Sequence, residues 1–456
     1  MEIWKLSACD LVSAYRGGSL SPVEVMRATL DRADAVNPAL NALFEIRHEA
    51  AMADAEGSER RWRDGSPLGP LDGVPVTIKD SVAAKGWPYW RGTKARIGVI
   101  SEEDSPPAAR LMEAGAIIFA KTTMPDLGLL PAGVSSAHGV TRNPWNTAMN
   151  TGGSSSGAAA AVAAGIGPLA VGTDLAGSVR LPAAHCGLVG MKPTIGMVPH
   201  MPVSGTRVAG PLTRTVADAA LMLSVLSRPD ARTGEPAGMT PATIAPANLA
   251  GLRIGVLADM GFGQAVSEEV AGLFGKAVAC FEAQGAEIVR IEPPFDYDPH
   301  ADLDRLFAAR AAAEREELLA GRRDEMLDTM RRYCEVGAEV TQDEQYRATE
   351  RVERAKARFD RALSGHDAVL SPTMPIAGFA AEAAGFVPER PLHHLAFTAM
   401  LNQVGRPAVS VFCGFAGDGL PVGLQIIGGL RRDADVLAIA AAYETSRGFE
   451  AGFPSL

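Results

Sequence analysis

Thr151-Gly152-Gly153-Ser154-Ser155-Ser156-Gly157 opens, and Gly172-Thr173-Asp174-Leu175-Ala176-Gly177-Ser178 closes, the segment from which the architecture is read. Between these two bends, Ala158 to Ala164 reads as a helix of small residues and Pro168 to Val171 as a buried strand. Loop, helix, strand and loop in that order are the repeating unit of an α/β fold. Glycine accepts positive φ at little steric cost, and consecutive N–H groups in such bends form anion-holding nests. A nest beside an activated hydroxyl is what acyl transfer requires, because its tetrahedral intermediate carries an oxyanion.

The same alternation continues on both sides. Upstream, Val74-Pro75-Val76-Thr77-Ile78 reads as a short strand ending at Lys79, followed by a helix from Ala108 to Glu113 and a strand from Ala116 to Ala120. Downstream come strands at Leu252 to Leu257, Ala368 to Pro372 and Pro407 to Val411, with long helices between 301 and 363. This order predicts a largely parallel sheet covered on both faces. Ser21-Pro22-Val23-Glu24 supplies an N-cap, a first-turn proline and a capping-box glutamate for a helix from Val23 to Ala35. The segment from about 1 to 65 is expected to be helical, and the Pro/Gly/Ala/Thr-rich span 228–251 is the candidate linker. Arg310, Glu314, Arg315 and Glu316 are expected on a solvated helix face.

With 456 residues, the chain needs two lobes or one unusually large sheet. Its 47% hydrophobic and 21% charged residues exclude a mostly disordered chain. A net charge of −10 argues against a nucleic-acid partner. The five scattered cysteines form no C-x-x-C or Cys/His cluster, so neither a disulfide framework nor a metal site is expected. No signal peptide or membrane span is read, and the default location is the cytoplasm.

For the chemistry, Ser178 ends a glycine-containing turn and suits a nucleophile, with the N–H groups of Leu175, Ala176 and Gly177 aimed at the developing oxyanion. No histidine is an obvious base. Lys79 is the alternative, although a free lysine is neutral only about once in 2,500 at pH 7. Burial that lowers its pKa by roughly three units would make it competent. Ser154 would then pass the proton between Ser178 and Lys79.

Lys79, Ser154 and Ser178 resemble the Ser–cisSer–Lys triad of the amidase signature family. The likeness includes Gly73-Val74-Pro75, Lys121-Thr122-Thr123-Met124-Pro125, Asn143-Pro144-Trp145-Asn146, the segments 187–194 and 210–218, and Gly419 to Gln425. It covers nearly the whole chain. The resemblance implies a single domain over 1–456, a three-layer α/β/α fold around one large central mixed sheet, no metal, no organic cofactor, and C–N bond hydrolysis through an acyl-enzyme. It makes Ser178 the nucleophile, Ser154 a bridge on a cis peptide and Lys79 the base. Residues 175–178 would hold the carbonyl oxygen, Asp174 and Arg180 would brace that loop, and Gly128 would line the acyl pocket. Two departures bear on substrate choice: Leu175-Ala176 stands where Thr-Gly is commoner, and Ser156 replaces a frequent glycine.

The substrate is expected to be a small-molecule amide, with carbamate or ester hydrolysis and the glutaminase subunit of a tRNA-dependent amidotransferase as rivals. A silent scaffold of the same fold is disfavoured by the complete triad. The loops 122–142 and 199–209 are expected to build the pockets. A homodimer is an open expectation that no residue pattern decides. Gly153-Ser154-Ser155-Ser156-Gly157 also fits G-x-S-x-G, which would make Ser155 the nucleophile. His185 is expected to pack near the site, and the adjacent His393-His394 pair points apart on a helix. Trp87, Tyr89 and Trp90 are read equally as an entrance or as core cover.

Overall fold

The computed structural model describes residues 2–233, 240–387 and 392–456. Eleven strands among them form one sheet. Across the sheet they run Leu43–Ile46, Ile117–Thr122, Pro75–Lys79, Leu169–Asp174, Val208–Thr213, Val189–Lys192, Ala408–Phe415, Pro421–Ile427, Ala368–Pro372, Arg253–Val256 and Glu287–Arg290. The sheet is mixed rather than largely parallel. Parallel pairs join Ile117–Thr122, Pro75–Lys79 and Leu169–Asp174 on one flank, and the strands at 368, 253 and 287 on the other. The centre, from Leu169–Asp174 through Pro421–Ile427 to Ala368–Pro372, is antiparallel throughout. Helix–strand alternation reports which elements occur, but not which strands become neighbours in the sheet or in which direction they run.

Strand pleating sends successive side chains to opposite faces, and the core divides accordingly. Val76, Ile78, Ile118, Val171, Val409, Leu424 and Leu370 meet helices Ala8–Gly17, Pro106–Glu113, Val216–Leu226, Glu268–Ala283 and Asp433–Ser446. On the opposite face, Phe119, Ala170, Leu212, Val369, Ala408 and Ile427 meet Pro22–Leu40, Ser156–Ala163, Arg180–Cys186, Gln342–Leu363 and Ala399–Val404. The result is three layers, as the family resemblance implied.

The helix expected from Val23 to Ala35 spans Pro22–Leu40, with both arms of the Ser21/Glu24 capping box formed. The helical N-terminal segment is interrupted by Leu43–Ile46, which pairs antiparallel with Ile117–Thr122 at the sheet edge. Of the candidate linker 228–251, residues 234–239 lie outside the described residues. Its last part is strapped to the body where Ala247 N–H donates to Ala438 O at 2.9 Å. Among the described residues, no helix is long and apolar enough to cross a membrane.

Candidate active site

Ile117–Thr122, Pro75–Lys79 and Leu169–Asp174 are adjacent and parallel, so their carboxyl ends open on the same edge of the sheet. In α/β sheets, ligands bind outside such ends. The loops that follow these strands meet there around a narrow cavity of about 30 Å³. Ser81, Tyr89 and Arg91 come from the loop after Lys79, Met124, Leu127, Gly128 and Leu129 from the loop after Thr122, and Leu175 from the turn after Asp174. Ser154 lies at its floor, and His200, Met201, Arg207 and Arg310 complete the wall. Both loops expected to build pockets, 122–142 and 199–209, contribute residues. Tyr89 lines the cavity, whereas Trp90 stacks with His138 and Phe44, and Trp87 lies under the Arg47 guanidinium.

Lys79, the last residue of its strand, is fully buried. Its amine donates to Ser154 Oγ at 2.8 Å, Thr173 Oγ1 at 3.0 Å and Ser155 Oγ at 3.1 Å. Desolvation lowers its pKa to about 7, outweighing the pull of Asp174 and Asp80, and Arg207 and Arg91 reinforce the drop. A strand-end ion pair with Asp80 does not form. The Asp80 carboxylate is engaged by the N–H groups of Trp90 and Gly92 and by His138.

The Gly153–Ser154 peptide is cis. The loop it belongs to is pressed against its neighbours: a Cβ at Gly157 would lie 2.2 Å from Ala42 O and 2.5 Å from Thr123 N. Ser155 is fully buried and ties Lys79 to the strand, donating to Thr173 O and accepting from Thr173 N, each at 3.3 Å. A nucleophile elbow would expose that hydroxyl, so the geometry goes against the G-x-S-x-G reading. Ser155 N–H also donates to Ser178 O at 3.2 Å, which joins the two bends.

Asp174 and Arg180 are fully buried and face each other through two bonds of 3.0 Å, Nε to Oδ2 and Nη2 to Oδ1. Arg180 also donates to Gln425 Oε1, Asn402 Oδ1 and Thr398 O, at 2.8, 2.7 and 3.1 Å. The guanidinium holds the Asp174 carboxyl well below the usual range. That carboxylate accepts from Gly177 N–H at 2.7 Å and Val179 N–H at 3.2 Å. Gly177, at φ 124, has no room for a side chain, because a Cβ would lie 2.5 Å from Thr398 Oγ1. The Gly177 amide is therefore committed to Asp174, contrary to its expected role as an oxyanion donor. The N–H groups of Leu175, Ala176 and Ser178 make no bond to another described residue, and neither does the half-buried Ser178 hydroxyl. Gly128 sits beside the bridge position, where a Cβ would lie 3.5 Å from Ser154 Oγ.

His185 is fully buried beside Phe379 and is pushed down to about 4, as a packing residue would be. The charged helix holds a feature that the sequence did not reveal. Arg310 and Glu314 turn inward from His300–Glu316 rather than to solvent, and Glu314 bonds Arg91 at 2.6 Å and Arg310 at 2.8 Å. Their spacing of four residues was the only signal, and it reads the same on an exposed face.

The amidase family model matches residues 24–437. The chain belongs to the amidase signature family. It is 36% identical to an acylamidase of Rhodococcus erythropolis over 97% of this chain and 95% of that one. It is 35% identical to a glutamyl-tRNA(Gln) amidotransferase subunit from Symbiobacterium thermophilum, over 96% of each. The structure of a bacterial aryl acylamidase of the amidase signature family superposes with a TM-score of 0.89 at 28% identity, covering 97% of this chain and 96% of that one. As an amidase signature protein, the chain is a hydrolase of amide C–N bonds.

Proposed function

We propose that this amidase cleaves a carboxylic amide through an acyl-enzyme on Ser178, with Lys79 as base and Ser154 as the proton bridge. One observation carries the reading: a buried amine, lowered to about 7, lies 2.8 Å from Ser154 Oγ beneath the cavity. Ser178 Oγ attacks the carbonyl carbon. Its proton passes to Ser154, which, with Lys79 neutral and accepting along the same 2.8 Å contact, releases its own to the Lys79 lone pair. The oxyanion is received by the N–H groups of Leu175, Ala176 and Ser178, donors whose individual loss costs roughly 3–4 kcal/mol in such holes. Collapse returns the proton through Ser154 to the leaving amine, and water then repeats the path on the ester. Substrate closes the Ser178–Ser154 gap, since catalytic hydrogen bonds often tighten only in the loaded site.

A glutaminase component of an amidotransferase is the second reading, favoured by the likeness to the Symbiobacterium protein over nearly the whole chain. Carbamates and esters share the oxyanion and differ in leaving group. The enzyme is read as cytoplasmic and acting on a small molecule. A screen of aryl anilides, primary amides including glutamine, carbamates and esters against wild type and Ser178→Ala tests the reading. Anilide turnover by the chain alone, lost in Ser178→Ala, is the expected result. A fluorophosphonate adduct on Ser155 rather than Ser178 would overturn the assignment.

A further inference from the structure

Three arginines reach the cavity and one carboxylate answers them. Glu314 accepts from Arg91 on one oxygen and from Arg310 on the other, so these guanidinium groups share a single counter-charge. Arg207 stands apart. Its Nη2 donates to Pro202 O at 3.1 Å, and its Nε is buried without a hydrogen-bond partner. Burial and repulsion from Arg310 and Arg91 push Arg207 down to about 10. Glu314 offsets this only in part, because its carboxylate is already bonded to Arg91 and Arg310. Burial holds His200 neutral, at about 3, and Asp80 is already bonded to Trp90, Gly92 and His138. Met124, Leu127, Leu129 and Leu175 supply the apolar part of the lining.

A guanidinium that spends only one of its five N–H donors on the protein, with Nε buried and unfilled, in a space of surplus positive charge, is matched by a planar two-oxygen anion. We propose that Arg207, supported by Arg310, receives a carboxylate on the substrate, so that the amide cleaved here is an anionic one. This rests on the amide-hydrolase reading and narrows its substrate class. One open fork, rather than three, fits a monocarboxylate better than a phosphate.

The test pairs 4-nitrosuccinanilate with 4-nitrobutyranilide, which places the charge on the acyl side. N-butyryl-4-aminobenzoate is paired with butyranilide to place it on the amine side. In the wild-type enzyme, kcat/KM for the charged member of one pair should exceed its neutral partner by about 100-fold, the order expected for a buried charge pair. The ratio should fall to near one in Arg207→Met and recover in part in Arg207→Lys, which keeps the charge but not the fork. Equal turnover of both members in wild type, or an unchanged ratio in Arg207→Met, overturns the proposal while leaving the amidase reading intact. Stronger competition by inorganic phosphate than by glutarate overturns the choice of carboxylate. If no member of either pair is hydrolysed, these amides fail as substrates, and calorimetric titration of glutarate still decides the subsite. Binding to wild type that is lost in Arg207→Met supports it, and no binding to wild type overturns it.

Discussion

At Lys79, desolvation has displaced the amine from 10.5 to about 7, and the direction of that shift governs both activity and stability. A base must be unprotonated, so kcat/KM should rise with pH through about 7 and level off above it, with Lys79 as the group titrated. Folding at neutral pH strips a proton that the unfolded chain would keep. The stability cost is therefore full below about 7 and is recovered as pH climbs towards 10.5. A shift of this size corresponds to roughly 5 kcal/mol. Lys121 and Lys192 are also buried and lowered, so the wild-type pH slope is not due to Lys79 alone. Lys79→Met isolates the contribution of one amine. Calorimetric melts should place this inactive variant above wild type at pH 7, with the gap narrowing towards pH 10. A gap that stays constant across that range would mean the amine is not neutral in the fold.

Among the elements, the turn between strand Leu169–Asp174 and helix Arg180–Cys186 depends on a single buried guanidinium. Arg180 holds Asp174, Asn402, Gln425 and Thr398 together, and Asp174 in turn fixes the amides of Gly177 and Val179. Arg180→Met leaves the Asp174 carboxylate buried without its counter-charge, a loss of about 3–5 kcal/mol in comparable pairs. Urea titration should show that loss as a lower midpoint, and a midpoint equal to wild type would remove Arg180 as the brace. Features of this kind were partly legible in the sequence. The Ser21/Glu24 helix start, the strand ending at Lys79 and the two glycine-serine bends are local patterns with local causes, and each forms within a few residues of its expected place. Features that depend on distant chain were not legible. The antiparallel centre is fixed by which distant strands become neighbours, Gly177's amide by a carboxylate three residues away that also needs Asn402, and the inward turn of Arg310 and Glu314 by a cavity assembled from other loops.

Over the whole molecule, the sheet is assembled from two consecutive lengths of chain. Residues up to 213 supply its first six positions and residues from 253 its last five, joined where Val189–Lys192 pairs with Ala408–Phe415. The core does not respect that seam. One cluster runs from Leu11 and Val76 through Leu223 to Ile254, Phe274 and Tyr443. The site also crosses it, since Lys79, Ser154 and Ser178 come from the first length while Asn402, Gln425 and Arg310 come from the second. Two lengths that bury a common core should unfold together. The sequence provides a natural pair of probes. All five tryptophans, at 4, 62, 87, 90 and 145, belong to the first length. The longest helix, Gln342–Leu363, and its companions His300–Glu316 and Glu268–Ala283 belong to the second. Tryptophan emission therefore follows the first length alone, whereas far-ultraviolet dichroism reports the helices of both lengths. In a urea titration the two curves should share one midpoint and one slope, and amidase activity should disappear no later than either. Emission changing well before or after dichroism would divide the chain into separately folding halves and refute the single-domain reading.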